Sequence, residues 1–171
     1  GSGSTAEAVV RALGARGSEG LSVSAVATSS NTASLARTCG IRLVELDSID
    51  HLDLGIDGAD EIDPDLNLVK GRGGALLWEK LVAQSCDQFV VVSSHEKLVD
   101  RLGTRMPLPV EIIPFGWKQT LRRVESLGCT PVVRTKAGSD SPYETDGGHF
   151  ILDCTTGAIA QPISLAFALK E

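Results

Sequence analysis

Five of the nine residues from 57 to 65 are acidic, namely Asp57, Asp60, Glu61, Asp63 and Asp65. They follow directly on the alternating segment Leu52-Asp53-Leu54-Gly55-Ile56, which reads as a strand that delivers Asp57 to a loop. So much like charge in a short turn is either solvated, since Asp, Gly and Pro are turn formers, or received by a cation or a set of substrate hydroxyls. The next segment favours the second reading. Lys70-Gly71-Arg72-Gly73-Gly74 carries three glycines, and Gly71, Gly73 and Gly74 let the backbone approach a ligand before a helix opens near residue 75.

On that helix Glu79 has Ala75 and Leu76 one turn before it and Val82 and Ala83 one turn after it. A glutamate inside an apolar stripe is either an uncomfortable core residue or a carboxylate desolvated for use as a general base. Lys70 lies across the glycine loop as a fixed positive charge. A base and a cation at this spacing suit proton abstraction next to a carbonyl, with the cation holding the developing oxyanion.

The opening Gly1-Ser2-Gly3-Ser4-Thr5-Ala6 offers backbone N–H groups, hydroxyls and a positive helix end, a pattern that suits phosphate and equally suits an ordinary helix cap. A second hydroxyl cluster, Thr28-Ser29-Ser30-Asn31-Thr32, follows an apolar strand and precedes another helix. It reads as a substrate-facing loop, with capping as the alternative.

These residues resemble the type A ribose-5-phosphate isomerase family. The resemblance is close over Asp57-Gly58-Ala59-Asp60-Glu61-Ile62-Asp63 and over residues 70–80, and collinear similarity extends along the chain. Also similar are the opening loop, Lys97 in Ser93-Ser94-His95-Glu96-Lys97, Pro107-Leu108-Pro109-Val110-Glu111 and Phe150-Ile151-Leu152-Asp153. The resemblance implies interconversion of ribose 5-phosphate and ribulose 5-phosphate in the non-oxidative pentose phosphate pathway, without a metal or cofactor. It implies that Glu79 moves a proton between C2 and C1, that Asp57 and Asp60 hold sugar hydroxyls and help open the ring, and that Lys70 stabilises the enediolate. It further implies a 5-phosphate site made of Lys97 with Ser2, Gly3, Ser4 and Thr5, substrate contacts at Gly71 and Gly73, a homodimer or homotetramer, and a cytoplasmic enzyme, or an organellar one after removal of a transit peptide.

The sequence departs from the family pattern at Arg72, where glycine is usual, and at Trp78, where arginine is usual. Arg72 reads as a solvated side chain, with phosphate or a partner subunit as alternatives. Trp78 points about 100° around the helix from Glu79 and reads as packing or interface.

Composition narrows the function classes. A net charge of -6 with no basic run argues against a nucleic-acid partner. No apolar run reaches the length of a membrane span, and no secretory leader pattern is present. Cys39, Cys86, Cys129 and Cys154 have no metal-ligand spacing to each other or to His51, His95 and His149, so they read as reduced, mostly buried thiols and no metal site is expected.

With 171 residues and 42% hydrophobic content the chain can bury a core in one domain or two small ones. Helices are expected over 5–13, 32–39 and 75–85, and strands over 21–27, 41–45, 52–57 and 88–92. That alternation predicts a Rossmann-like α/β domain over residues 1–106, a parallel sheet with helices on both faces and ligands at the strands' carboxyl ends. Residues 107–171 predict a smaller ferredoxin-like α+β domain, with strands over 110–113, 130–134 and 149–153 and helices over 117–127 and 162–169. This is a split βαβ order lacking its last strand. The first glycine loop has no strand before it, so both ends read as truncated. Two other functions fit parts of the pattern: a non-enzymatic sugar-phosphate sensor of the same fold, and a dinucleotide oxidoreductase. The nicotinamide reading expects an acid where the chain has Thr28-Ser29-Ser30.

Overall fold

The computed structural model describes residues 1–170. In chain order its first elements are α1 (Gly3–Gly17), β1 (Ser24–Ala25), α2 (Ser30–Thr38), β2 (Arg42–Leu43), β3 (Leu52–Asp57), β4 (Glu61–Ile62) and β5 (Leu68–Val69). There follow α3 (Leu76–Gln84), β6 (Cys86–Val91), β7 (Leu108–Ile112), α4 (Trp117–Ser126), β8 (Thr130–Val133), β9 (Phe150–Thr155) and α5 (Pro162–Ala168). By contact the chain divides into one unit of Gly1–Gly58 with Ala75–Ser93 and another of Ala59–Gly74 with Ser94–Glu171. The architecture is mixed α/β, with parallel strands and helices in the first unit and antiparallel strands with two helices in the second.

In the first unit β3 pairs with β6 in parallel, from Leu52 opposite Cys86 to Asp57 opposite Val91, and β1 pairs with β2 in parallel. The strand expected over 21–27 is regular only at Ser24–Ala25, because its pairing with β2 is two residues long. Gly55 is required in β3: a Cβ there would lie 2.6 Å from Cys86 Sγ and 2.8 Å from a Phe89 ring carbon. Ser29 caps α2, its side chain accepting from the Thr32 N–H at 3.1 Å.

In the second unit the order β7-β9-β8 makes a three-stranded antiparallel sheet. Because β7 and β8 each run antiparallel to β9, they are parallel to one another and joined through α4, the split βαβ arrangement. Ile112, Val124, Cys129, Leu152 and Cys154 form its buried cluster, with Trp117, Leu121, Phe150 and Leu165 packed around them. The Trp117 and Phe150 rings meet edge to face at 6.4 Å.

The acidic run differs from the expected loop. It contains a hairpin, with β4 antiparallel to β5 and Glu61 opposite Val69. Glu61 is 0% exposed, and its carboxylate accepts the backbone N–H groups of Gly103 at 2.5 Å, Arg105 at 2.7 Å and Met106 at 3.2 Å. Asp63 closes the hairpin turn by accepting from the Asp65 and Asn67 N–H groups at 3.1 and 2.8 Å and from the Asn67 amide. Both acids are thus engaged by backbone and amide donors within the second unit.

Glu61→Ala strips three backbone donors of their acceptor and should lower the unfolding free energy by about 3 kcal/mol or more, read from urea denaturation. A loss under about 1 kcal/mol would mean that these N–H groups find other partners at no cost. The thiols give a second expectation. Burial, with Cys129 and Asp153 nearby, pushes Cys154 up to about 12, and burial also raises Cys129. Burial raises Cys86 as well, so a disulfide reagent at pH 8 should label the half-buried Cys39 first and Cys86 more slowly in the native protein, and reach the buried Cys129 and Cys154 only on unfolding. The sign for stability follows: the raised Cys154 favours folding below the ordinary thiol value near 9.0, and that contribution is lost as pH climbs from there towards about 12.

Candidate active site

In the first unit the site is built on the end of β3, the first turn of α3 and the glycine loop before α1. Asp57 is the last residue of β3, 3% exposed, with Oδ1 accepting the Gly58 N–H at 2.7 Å. Gly1 lies so near Asp57 that any Cβ at residue 1 would overlap the carboxylate. Glu79 sits on α3, 5% exposed, as its apolar neighbours require. Its Oε1 accepts a hydrogen bond of 2.6 Å from the Ser2 hydroxyl.

The cluster 28–32 holds this loop. Ser29 Oγ donates to Thr32 Oγ1 at 3.0 Å, and Thr32 Oγ1 donates to the Gly1 carbonyl at 3.2 Å. Capping and strapping thus account for Ser29 and Thr32, while Thr28 is buried with a hydroxyl that has no partner among the described residues. Gly3, Ser4 and Thr5, expected in the loop, instead form the first turn of α1, with Gly3 and Ser4 exposed and Thr5 half-buried.

In the second unit Asp60 immediately precedes β4 and Lys70 immediately follows β5, with the Asp60 N–H donating to the Val69 carbonyl at 2.8 Å. Asp60 Oδ2 accepts the Arg72 N–H at 3.0 Å. The glycine loop closes by a Gly74 N–H to Gly71 carbonyl bond of 3.0 Å, with φ of 110° at Gly71 and 82° at Gly74. Only glycine fits at 74, since a Cβ would meet the Tyr143 hydroxyl at 2.7 Å. The Arg72 side chain is exposed, and its engagement is through its backbone. Lys97 ends a short 3-10 turn at His95–Lys97 and is half-buried.

Each unit therefore presents part of the chemistry anticipated from the motifs: a buried, hydroxyl-held glutamate and an aspartate in one, and an aspartate, a lysine and a glycine turn in the other. Among the described residues no group of three or more His, Cys, Asp or Glu side chains is placed to hold a metal ion, and no helix is long and apolar enough to cross a membrane. Residues 24–171 match the family described as ribose 5-phosphate isomerase A (phosphoriboisomerase A).

The chain belongs to the ribose 5-phosphate isomerase A family. It is 51% identical over 171 residues to a protein of Thermomicrobium roseum named ribose-5-phosphate isomerase A, covering 99% of this chain and 72% of that protein. A D-ribose-5-phosphate isomerase solved in complex with phospho-erythronic acid superposes with a TM-score of 0.95 at 37% identity, over 99% of this chain and 75% of that one. The ribose 5-phosphate isomerase A of Methanocaldococcus jannaschii gives a TM-score of 0.94 at 36% identity, over 99% and 76%.

Several contacts of this isomerase-family site lie outside what the motifs announce. The Ser2 and Glu79 pair joins residues 77 apart in the chain, and the Thr32 strap joins residues 31 apart. Arg134, which reaches the glycine turn, has no motif around it. The one local signal was the helix-cap spacing of Ser29 and Thr32.

Proposed function

We propose that this chain interconverts D-ribose 5-phosphate and D-ribulose 5-phosphate through an enediolate, with Glu79 as the base that carries the proton. The protein is an isomerase of the aldose-ketose type, as its family membership and its half-identical relatives establish. The observation that carries the residue assignment is Glu79 itself, buried on α3 and fixed by the Ser2 hydroxyl at 2.6 Å. A carboxylate so held is oriented before the substrate arrives.

In the open-chain aldose the C2 hydrogen lies next to the C1 carbonyl. Glu79 removes it as a proton, and the electron pair left on C2 forms the C1–C2 double bond while the carbonyl oxygen takes up negative charge. The Lys70 ammonium offsets that charge. Returning the proton to C1, while the hydroxyl proton at O2 passes to the O1 oxyanion, gives the ketose with its C1 hydroxyl, so atoms and electrons balance without an oxidant. Asp57 and Asp60 accept from sugar hydroxyls and assist ring opening, Gly71 and Gly73 bring backbone close to the sugar, and Lys97 with Ser2, Gly3, Ser4 and Thr5 takes the 5-phosphate. The same reading places the enzyme in the cytoplasm as a homodimer or homotetramer. Four cysteines that form no disulfide support the first, and exposed apolar side chains such as Phe115 at 95% support the second.

Ribose 5-phosphate followed by NMR in D2O with EDTA present should show ribulose 5-phosphate appearing with deuterium on the transferred position. Glu79→Gln should lower kcat about a thousandfold and leave binding of the sugar phosphate in place. Retention of most of kcat in that variant would remove Glu79 from the role of base. Ser2→Ala separates two roles for one hydroxyl: loss of about tenfold in kcat at constant KM is expected if its main work is holding Glu79. A raised KM with kcat intact would assign Ser2 to the phosphate instead.

A further inference from the structure

From within, the glycine turn 70–74 is closed by one backbone bond, from the Gly74 N–H to the Gly71 carbonyl. Three of its five residues are glycine, two of them at positive φ, and each peptide unit between such residues can rotate with little steric resistance. Yet the turn must present Lys70 and the Asp60 partner at Arg72 in one fixed arrangement if the chemistry proposed above is to proceed.

Arg134 supplies the missing restraint. It follows β8 directly, with its N–H donating to the Ile151 carbonyl at 2.8 Å, and its side chain is 18% exposed. The guanidinium is fixed first by Asp153 on β9: Nε donates to Oδ2 at 2.9 Å and Nη2 to Oδ1 at 2.5 Å, a two-point fork between charged planes. The remaining nitrogen, Nη1, then donates to the Arg72 carbonyl at 3.0 Å and the Gly71 carbonyl at 3.5 Å. Planar trans peptides carry C=O and N–H in opposite directions. Drawing the carbonyls of residues 71 and 72 to one guanidinium therefore turns the N–H groups of Arg72 and Gly73 away from it. The Arg72 N–H meets Asp60 Oδ2, and the Gly73 N–H has no acceptor among the described residues.

We propose that Arg134, locked by Asp153, is a positioning residue for the isomerase reaction: it sets the peptide orientation of the glycine turn, which holds the Asp60 carboxylate and leaves the Gly73 N–H available to a substrate oxygen. This rests on the assignment of Asp60, Lys70 and Gly73 to the substrate. Lysine cannot replace the arginine here, because a single ammonium lacks the planar fork needed to engage a carboxylate at two points and two carbonyls at once.

The test compares the unsubstituted chain with Arg134→Lys and Asp153→Asn by kinetics, by calorimetric titration with phospho-erythronic acid and by amide hydrogen exchange. Arg134→Lys should lower kcat about tenfold or more with KM changed less than about threefold, and weaken the analogue about tenfold at an unchanged one-per-chain stoichiometry. Exchange at Arg72 should accelerate about tenfold while the β9 amides stay protected, which marks a loosened turn in an intact sheet. Asp153→Asn should move every reading the same way. Analogue affinity and kcat within about twofold of the unsubstituted chain would overturn the proposal, as would a fall in stoichiometry at constant affinity, which is the mark of partial unfolding. If the unsubstituted chain neither turned over ribose 5-phosphate nor bound the analogue, the functional reading would fail, whereas the exchange at Arg72 would still decide whether Arg134 orients the turn.

Discussion

The carboxylate of Glu61, fully enclosed and met by three backbone N–H groups of residues 103–106, is the contact on which the second unit's share of the site depends. A buried carboxylate without donors would be intolerable, so these hydrogen bonds hold β4 against the 103–106 segment. Once β4 is placed, its register with β5 follows, and with it the ends of the hairpin at which Asp60 and Lys70 stand. The arrangement sorts the five acids in nine residues. Glu61 and Asp63 are engaged by backbone donors, whereas Asp57 ends β3 and Asp60 stands just before β4.

A parallel logic operates in the first unit, with hydroxyls in place of backbone donors. Ser29, Thr32 and the Gly1 carbonyl form a short relay that ends next to Ser2, whose own hydroxyl is committed to Glu79. Chains of this kind restrain a glycine-rich segment at positions where its own backbone offers little resistance to rotation. Both glycine segments in the molecule are thus held by side chains from elsewhere, one by α2 and one by the end of β8.

Much of this architecture was legible in the sequence where periodicity and burial coincide. The strand 52–57 forms as expected, in a parallel pair whose partner, β6, the sequence did not name, and Glu79 is buried among apolar helical neighbours. The β4 and β5 hairpin was hidden because two-residue strands show no alternation and acidic residues discourage a strand assignment. The reverse occurred over residues 21–27, where an apolar run suggested seven strand residues and only Ser24–Ala25 pair. Ser2, Asp57, Asp60, Lys70 and Glu79 stood out by their motifs, whereas Arg134 did not. Its partners are 19, 62 and 63 residues distant, and no local pattern encodes a contact made by the tertiary fold.

The order β7-β9-β8 has a consequence for how the protein is made. The central strand of that sheet is the last of the three to leave the ribosome, so neither β7 nor β8 has its neighbour until β9 has been synthesised. Asp153 is carried on that late strand and is the anchor for Arg134. Residues 60–74, translated long before, consequently wait for residue 153 to emerge before their final shape can be locked.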